Sequence, residues 1–169
     1  TGRGRPALSE PEGLRIPIPN AGELTLRHLD LDVNGTIAAD GWLLVGVADA
    51  IEELKPYLEV TLLTSDTFGT AASIGEHLGV QVHALPSDRP GGPAKADFVR
   101  RLGAEGVVAM GNGANDVEML GAAALGIAVL GLEGCSPGAL AAAHIVASSA
   151  SDALALLLNP RRLSATLRP

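Results

Sequence analysis

Four short groups of polar residues contain side chains that suit a reaction at a phosphoryl group. They are residues 32–36 (DVNGT), residues 64–66 (TSD), Lys95, and residues 111–116 (GNGAND). A carboxylate can accept a phosphoryl group and so divide a hydrolysis into two easier steps. A threonine hydroxyl can donate a hydrogen bond to a phosphate oxygen, and a lysine offsets negative charge on both nucleophile and phosphate.

Each group also has an ordinary structural explanation. An Asp at a strand end, such as Asp32, can form a turn or cap a helix, and Thr64 can be a common β-branched strand residue. Lys95 alone could be a solvated surface residue. The GNGAND segment could be a tight turn in which Asn115 and Asp116 cap the next helix. The positions of the groups relative to the strands therefore matter as much as their identity.

The predicted strands and helices that carry these residues alternate along the chain. Short apolar runs of strand length are separated by amphipathic segments of helical length, which indicates repeated βαβ units. The predicted strands are residues 26–33, 59–64, 80–85, 106–111, 125–131 and 144–148. Helices are predicted over residues 44–58, 72–79, 95–103, 114–124, from Ser136 onward, and 151–158, with a loop over 86–93. The pattern predicts an α/β fold with a doubly wound, Rossmann-like parallel sheet.

In such a sheet, ligands bind at the carboxyl ends of the strands. Residues 32–36, 64–66 and 111–116 each follow a predicted strand directly, and Lys95 opens the helix after the loop 86–93. In this order and spacing the groups resemble the four motifs of the haloacid dehalogenase superfamily, over roughly residues 22–158. The segments LDVNGTIAADG, LLTSDTFGT and GNGANDVEML are most similar to small soluble relatives of the P-type ATPase phosphorylation domain.

The resemblance implies a capless, Mg²⁺-dependent phosphatase that acts on a small phosphorylated molecule through an aspartyl phosphate. Asp32 is the expected nucleophile, because it has Gly35 and Thr36 at the third and fourth positions after it, as the family pattern requires. Asp30 does not, and it receives no role. The implied catalytic residues are Asp32, Asn34, Thr64 and Lys95. The implied substrate-binding residues are Gly35, Thr36, Ser65 and Gly113, and the implied Mg²⁺ ligands are Asp32, the Asn34 backbone carbonyl, Asn112 and Asp116.

Two positions depart from the family pattern. Asn34 stands where most phosphatases of the superfamily have an Asp that exchanges protons with the leaving group and with water. Asn112 stands where the ATPase pattern GDGxND has a carboxylate, so we expect modest affinity for Mg²⁺. Two hypotheses therefore stay open, a phosphatase and a phosphate- or nucleotide-binding regulatory module with negligible turnover.

Composition limits the partners and the location. The chain has 12 basic and 19 acidic residues and a net charge of −7, which is the wrong sign for nucleic acid. One Trp, one Tyr and two Phe leave few platforms for base stacking. The single Cys135 cannot form an internal disulfide. No apolar run reaches membrane-spanning length and no secretory signal is evident, so we expect no membrane partner and a cytoplasmic location.

The chain is expected to form one domain over its 169 residues. Its core is predicted at about residues 22–158, with an N-terminal arm (1–20) and a C-terminal tail (159–169) as appendages. Segments 36–43 and 86–93 are too short for a cap domain, and ion pumping is not expected of this chain by itself. A capless site is open to water, which favours a homo-oligomer, a dimer or tetramer, that covers it.

Overall fold

A parallel sheet of six strands forms the centre of the fold. The computed structural model describes residues 9–66 and 69–169. The strands, in chain order, are β1 Leu14–Ile18, β2 Gly22–Leu26, β3 His28–Asp32, β4 Ala38–Ala39, β5 Trp42–Leu43, β6 Glu59–Thr64, β7 Gln81–Ala84, β8 Val107–Gly111, β9 Leu125–Val129 and β10 Ile145–Ala147. The central sheet has the order β10-β9-β8-β3-β6-β7, and all its pairs are parallel. The predicted α/β fold with a doubly wound parallel sheet is confirmed.

Helices cover both faces of this sheet. They are α1 Val47–Leu54, α2 Thr70–Leu78, α3 Gly91–Leu102, α4 Val117–Ala122, α5 Pro137–Ala142, α6 Ala150–Leu158 and α7 Pro160–Leu167. Buried residues of α1, α2, α6 and α7 share one apolar cluster, and those of α3, α4 and α5 share a second cluster on the opposite face. Leu29 and Leu31 of β3 join the first cluster. Because side chains alternate along a strand, Asp30 and Asp32 point to the other face.

Two helix ends follow the predicted local signals. Gly79 ends α2 in the left-handed conformation, with φ of 64°, where glycine carries no steric penalty. Ser136 begins α5, and its hydroxyl accepts a hydrogen bond from the Ala139 N–H at 3.2 Å. Pro137 occupies the first turn, where its missing N–H has no intrahelical partner to lose.

The loop predicted over residues 86–93 is too long by three residues. Helix α3 begins at Gly91 and therefore includes Gly92 and Pro93 in its first turn. The first N–H groups of a helix have no intrahelical acceptor, so a proline is tolerated at this position. Lys95 consequently lies in the second turn of α3 and does not open the helix.

Both predicted appendages contain regular structure. β1 pairs with β2 as an antiparallel hairpin, and Ile16 joins the first apolar cluster. Leu163 of α7 is fully buried in the same cluster, and the Ser164 hydroxyl donates a hydrogen bond to the Pro17 carbonyl at 2.6 Å. The hydrophobic alternation of β1 and the buried Leu163 explain why these segments fold onto the core. Residues 1–8 of the expected arm lie outside the described residues.

Among the helices that the structure describes, none has both the length and the apolar character needed to cross a bilayer.

Candidate active site

A cleft of about 500 Å³ opens at the carboxyl edge of the central sheet. The residues that line it come from the ends of β3, β6, β8 and β9. They are Asp32, Asn34, Thr64, Ser65, Asp66, Asn112, Gly113, Asn115 and Glu133. The sheet topology thus brings the motifs after three separate strands to one cleft, as expected for a doubly wound sheet.

The turn after β3 orients the carboxylate of Asp32. Gly35 adopts a φ of 81°, a backbone conformation that residues with a side chain rarely adopt. The backbone N–H groups of residues 36–38 donate hydrogen bonds to the Val33 carbonyl and so close the turn. The turn brings the Thr36 hydroxyl within 2.9 Å of Oδ2 of Asp32, to which it donates a hydrogen bond. Thr36 is fully buried and does not line the cleft. Its position suits an orienting residue for Asp32 and gives no direct access to a substrate.

Lys95 is buried beneath the cleft. Its side chain is 1% exposed, and Nζ lies 2.6 Å from Oδ1 of Asp32 and 2.6 Å from Oδ1 of Asp116. A solvated surface lysine is therefore the wrong explanation for this residue. The helix α3 carries the ammonium under the sheet edge, where it bridges the carboxylates from the first and fourth motifs.

Asp116 is sealed from the cleft. It has no exposed surface, and its Oδ2 accepts hydrogen bonds from the N–H groups of Asn112 at 3.0 Å and Gly113 at 2.9 Å. Its Oδ1 is paired with Lys95. A side chain on Gly111 would overlap the Asp116 carboxyl, so a glycine is required there. Asp116 thus closes the turn and anchors Lys95, and it is not placed among the cleft-lining oxygens expected of a metal ligand.

The Lys95 ammonium is the shared ion-pair partner of the Asp32 and Asp116 carboxylates. Burial and the neighbouring Asp116 charge raise the pKa of Asp32 to about 6, although Lys95 and Thr36 oppose the shift. Burial disfavours the charge on Lys95, but the two carboxylates together outweigh it and raise the pKa of this ammonium. The group of three therefore carries an excess negative charge next to the cleft, which would favour a bound cation.

The turn after β6 presents hydroxyl groups. The Thr64 Oγ1 accepts a hydrogen bond from the Asp66 N–H at 2.9 Å, so the hydroxyl keeps its own proton for an acceptor in the cleft. Ser65 lines the cleft beside it. Oδ2 of Asp66 accepts from the Ala71 N–H at 3.1 Å, which ties this turn to the start of α2. Both residues predicted here, Thr64 and Ser65, are placed where they can contact an anionic ligand.

The oxygen donors of the cleft fit a hard cation. Asp32, Asn34 and Asn112 line the same cleft, and Mg²⁺ prefers carboxylate, amide and carbonyl oxygens while retaining several waters. Within residues 9–66 and 69–169, no group of three or more His, Cys, Asp or Glu side chains is arranged to hold a metal ion. Any metal site here would depend on amide and backbone oxygens as well as carboxylates.

Sequence reasoning missed Glu133, which lines the cleft from the loop after β9. The available signal was the position of residues 132–135 (LEGC) immediately after the strand predicted over 125–131, the same relationship that identified the other motifs. Asp30, in contrast, is fully buried and does not line the cleft; neither carboxylate oxygen has a hydrogen-bond partner among the described residues. Burial, with a smaller effect of the Glu59 charge, raises the pKa of Asp30 to about 7.

Comparison with known sequences finds a family model that matches part of this chain, including residues 111–116. Residues 99–158 match the family model of haloacid dehalogenase-like hydrolases. The cadmium, zinc and cobalt-transporting ATPase of Bacillus subtilis is 29% identical over 171 aligned residues, which cover 95% of this chain. The same alignment covers only 24% of the ATPase, so the chain spans about a quarter of that relative's length.

Solved structures show the same fold. The 3-deoxy-D-manno-octulosonate 8-phosphate phosphatase of Moraxella catarrhalis, solved with magnesium, phosphate and KDO, aligns with a TM-score of 0.66 at 16% identity. That alignment covers 85% of this chain and 94% of the phosphatase. A zinc-transporting PIB-type ATPase in its E2.Pi state aligns with a TM-score of 0.60 at 29% identity, over 74% of this chain and 20% of the ATPase.

Proposed function

Because the chain belongs to the haloacid dehalogenase-like hydrolases, we propose that it is a Mg²⁺-dependent phosphatase that uses Asp32 as a covalent nucleophile. Its substrate would be a small phosphorylated molecule. The observation that carries the proposal is the contact between the buried Lys95 ammonium and the Asp32 carboxylate at 2.6 Å. A fully buried lysine needs a compensating charge, and here it holds a carboxylate at the floor of an open cleft.

The reaction would proceed in two steps. Asp32 attacks phosphorus, the bond from phosphorus to the leaving oxygen breaks, and an acyl phosphate forms on the carboxylate. Water then attacks the acyl phosphate, which releases inorganic phosphate and restores the carboxylate. Lys95 offsets the negative charge that the nucleophile and the phosphoryl group bring together.

The phosphoryl oxygens would be bound by donors at the end of β6. The Thr64 hydroxyl has a proton to donate, and Ser65 adds a second hydroxyl in the cleft. Gly113, also implied by the family resemblance, lines the cleft, but its N–H already donates to Asp116. We therefore assign phosphate binding chiefly to Thr64 and Ser65.

Mg²⁺ would be held by Asp32, the Asn34 backbone carbonyl and Asn112. When bound, the ion would supply positive charge that stabilises the phosphoryl oxygens. The excess negative charge of Asp32, Asp116 and Lys95 supports this assignment, because a cation would balance it. The Moraxella catarrhalis phosphatase was solved with magnesium and phosphate, which is consistent with it.

Asn34 favours a second candidate function. Asn34 lines the cleft, but an amide side chain cannot exchange protons near neutral pH. The leaving group would have to take its proton from water, and hydrolysis of the acyl phosphate would lack a general base. The protein could then act as a phosphate- or nucleotide-binding regulatory module with negligible turnover.

Hydrolysis of an aryl phosphate in the presence of Mg²⁺ tests the proposal. We expect measurable turnover that is abolished by Asp32→Asn and kept by Asp49→Asn, because Asp49 is an exposed residue of α1 away from the cleft. A rate unchanged by Asp32→Asn would exclude the phosphatase mechanism. Absence of turnover with retained phosphate binding would favour the regulatory module.

The segment between β3 and α1 contains only the short hairpin of β4 and β5, which is too short to be a cap domain. We therefore keep the prediction that a homo-oligomer covers the cleft.

A further inference from the structure

We propose that Glu133 supplies to the metal site the negative charge that is missing at Asn112. This inference rests on the proposed Mg²⁺-dependent function and adds a residue to it from a different part of the chain. Glu133 would act on the ion or on the waters that Mg²⁺ retains. It is a positioning and charge-supplying residue for the metal, and no chemical step is assigned to it.

The Glu133 carboxylate lies directly over the turn that follows Asp32. A Cβ atom built on Gly35 would overlap Oε2 of Glu133 and would lie 2.6 Å from Nδ2 and 3.1 Å from Oδ1 of Asn112. The carboxylate and the Asn112 amide therefore converge on Gly35, at the side of the cleft where the metal would be held. A side chain at position 35 would displace the Glu133 carboxylate from this place, in addition to straining the backbone at its φ of 81°.

The loop that carries Glu133 is fixed to the active-site turns. The Ser136 N–H donates to the Asn112 carbonyl at 2.8 Å, and the Gly134 N–H donates to the Gly131 carbonyl at 3.0 Å. A Cβ on Gly131 would lie 2.7 Å from the Gly35 carbonyl oxygen, so the two turns are in close contact. Although Glu133 is exposed to solvent in the cleft, its backbone position is thus set by these contacts.

Asn112 is part of this attachment through its side chain. Its Nδ2 donates a hydrogen bond to the Gly134 carbonyl at 3.1 Å, while its Oδ1 lies 3.2 Å from the Thr36 hydroxyl. A carboxylate at position 112 has no proton for the Gly134 carbonyl and would place two acceptors against each other. The amide therefore removes a charge from the metal site and, at the same time, holds the loop that brings in Glu133.

Charge at this side of the cleft depends on Asp32 and Glu133. Asp116 is sealed below the surface with both oxygens already bonded, so it cannot replace the missing carboxylate. Carboxylates beyond the direct ligands typically change metal affinity by about 10- to 100-fold when they are removed. Glu133 has the charge and the position for that role.

Titration calorimetry of the full chain with Mg²⁺, without substrate, tests the inference. We expect Glu133→Gln to weaken Mg²⁺ binding by about 10-fold relative to the wild type. Glu118→Gln removes the same charge from an exposed residue of α4 outside the cleft, and the affinity should stay close to that of the wild type. Thermal unfolding in a chelator should be nearly the same for all these proteins, because both glutamates are exposed.

Asp32→Asn separates this inference from the function on which it rests. If Asp32→Asn weakens Mg²⁺ binding and Glu133→Gln does not, the role of Glu133 is wrong and the metal site stands. If the wild type binds no Mg²⁺, the proposed function fails together with the inference.

The Asn112→Asp background provides the sharper comparison. When a carboxylate is restored at position 112, the missing charge is already present and the contact with the Gly134 carbonyl that holds the Glu133 loop is lost, so Glu133→Gln should cost less Mg²⁺ affinity than it does in the wild type. An equal loss in both backgrounds would show that Glu133 acts independently of position 112. That result would overturn the proposal that the Glu133 carboxylate replaces the carboxylate missing at position 112.

Discussion

Nζ of Lys95 lies 2.6 Å from Oδ1 of Asp32, in a pair whose lysine side chain is 1% exposed. The same ammonium contacts Asp116 at 2.6 Å, so it connects Asp32, the proposed nucleophile on β3, with the turn after β8. Loss of the ammonium would leave two carboxylates buried close to each other without compensation. We therefore expect the contact to affect stability as well as the proposed catalysis.

We expect Lys95→Met to lower the free energy of unfolding by about 3 to 5 kcal/mol, the usual result of removing one partner of a buried ion pair. Urea denaturation at neutral pH measures the change. Lys55→Met is the matched control, because Lys55 contacts Glu52 at the same distance of 2.6 Å but at the protein surface. That change should cost less than about 1 kcal/mol. Similar losses for both variants would contradict the buried role of Lys95.

Restoring the missing proton-transfer group should accelerate turnover. Asn34→Asp places a carboxyl group in the cleft two residues from Asp32, the proposed nucleophile, and general acid and base catalysis typically contributes about 10² to 10⁴ in rate. Steady-state hydrolysis of an aryl phosphate measures the gain. The double variant Asp32→Asn with Asn34→Asp should stay inactive. No gain in a variant that retains the fold and Mg²⁺ binding would show that proton transfer does not limit this site.

Beryllium fluoride with Mg²⁺ should stabilise the wild type against heat. This complex mimics a phosphoryl group on an aspartate, and a ligand that binds only the folded state raises the melting temperature. Asp32, Thr64 and Lys95 together offer the acceptor, the hydroxyl donor and the positive charge for it. Differential scanning fluorimetry should show a shift for the wild type and none for Asp32→Asn. No shift for the wild type at millimolar ligand would count against a competent site.

Asp30 should make the protein less stable as the pH rises. Its pKa is raised to about 7 in the folded protein from a reference value of 3.8, chiefly by burial. Below pH 3.8 both states are protonated, whereas between pH 3.8 and about 7 the unfolded state ionises and the folded state resists ionisation. The destabilisation should grow through this range and level off above it, at about 4 kcal/mol.

Asp30→Asn removes the titration while keeping the size of the side chain. We expect its unfolding free energy to exceed that of the wild type at pH 8 and to approach it at pH 4.5. Chemical denaturation at both values, in a chelator, measures the difference, and Asp49→Asn serves as the control for an exposed aspartate. A difference between wild type and Asp30→Asn that does not change with pH would show that Asp30 does not titrate in this range.

Local patterns in the sequence predicted the six strands of the central sheet, most helices and the order of the motifs, but not the two small hairpins β1–β2 and β4–β5. The run EVTLLT predicted a strand over residues 59–64, and β6 has those bounds. Gly79 and Ser136 marked helix ends correctly, because the signals that end or begin a helix lie within a few residues of each other. The parallel sheet then required that motifs after successive strands meet at one edge, which identified Asp32, Thr64 and Asn112 as neighbours.

The hydrogen-bond and ion-pair partners of these neighbouring side chains are set by the tertiary structure. Lys95 and Asp32 are separated by 63 positions, and nothing in the sequence showed that the lysine would be fully buried between two carboxylates. The sequence suggested Asp116 as a metal ligand, but its oxygens are bonded to Lys95 and to backbone N–H groups. Glu133 reaches the cleft through the conformation of an irregular loop, which has no periodicity to recognise. Which side chain faces a ligand is set by long-range packing, and a pattern along the chain does not contain that information.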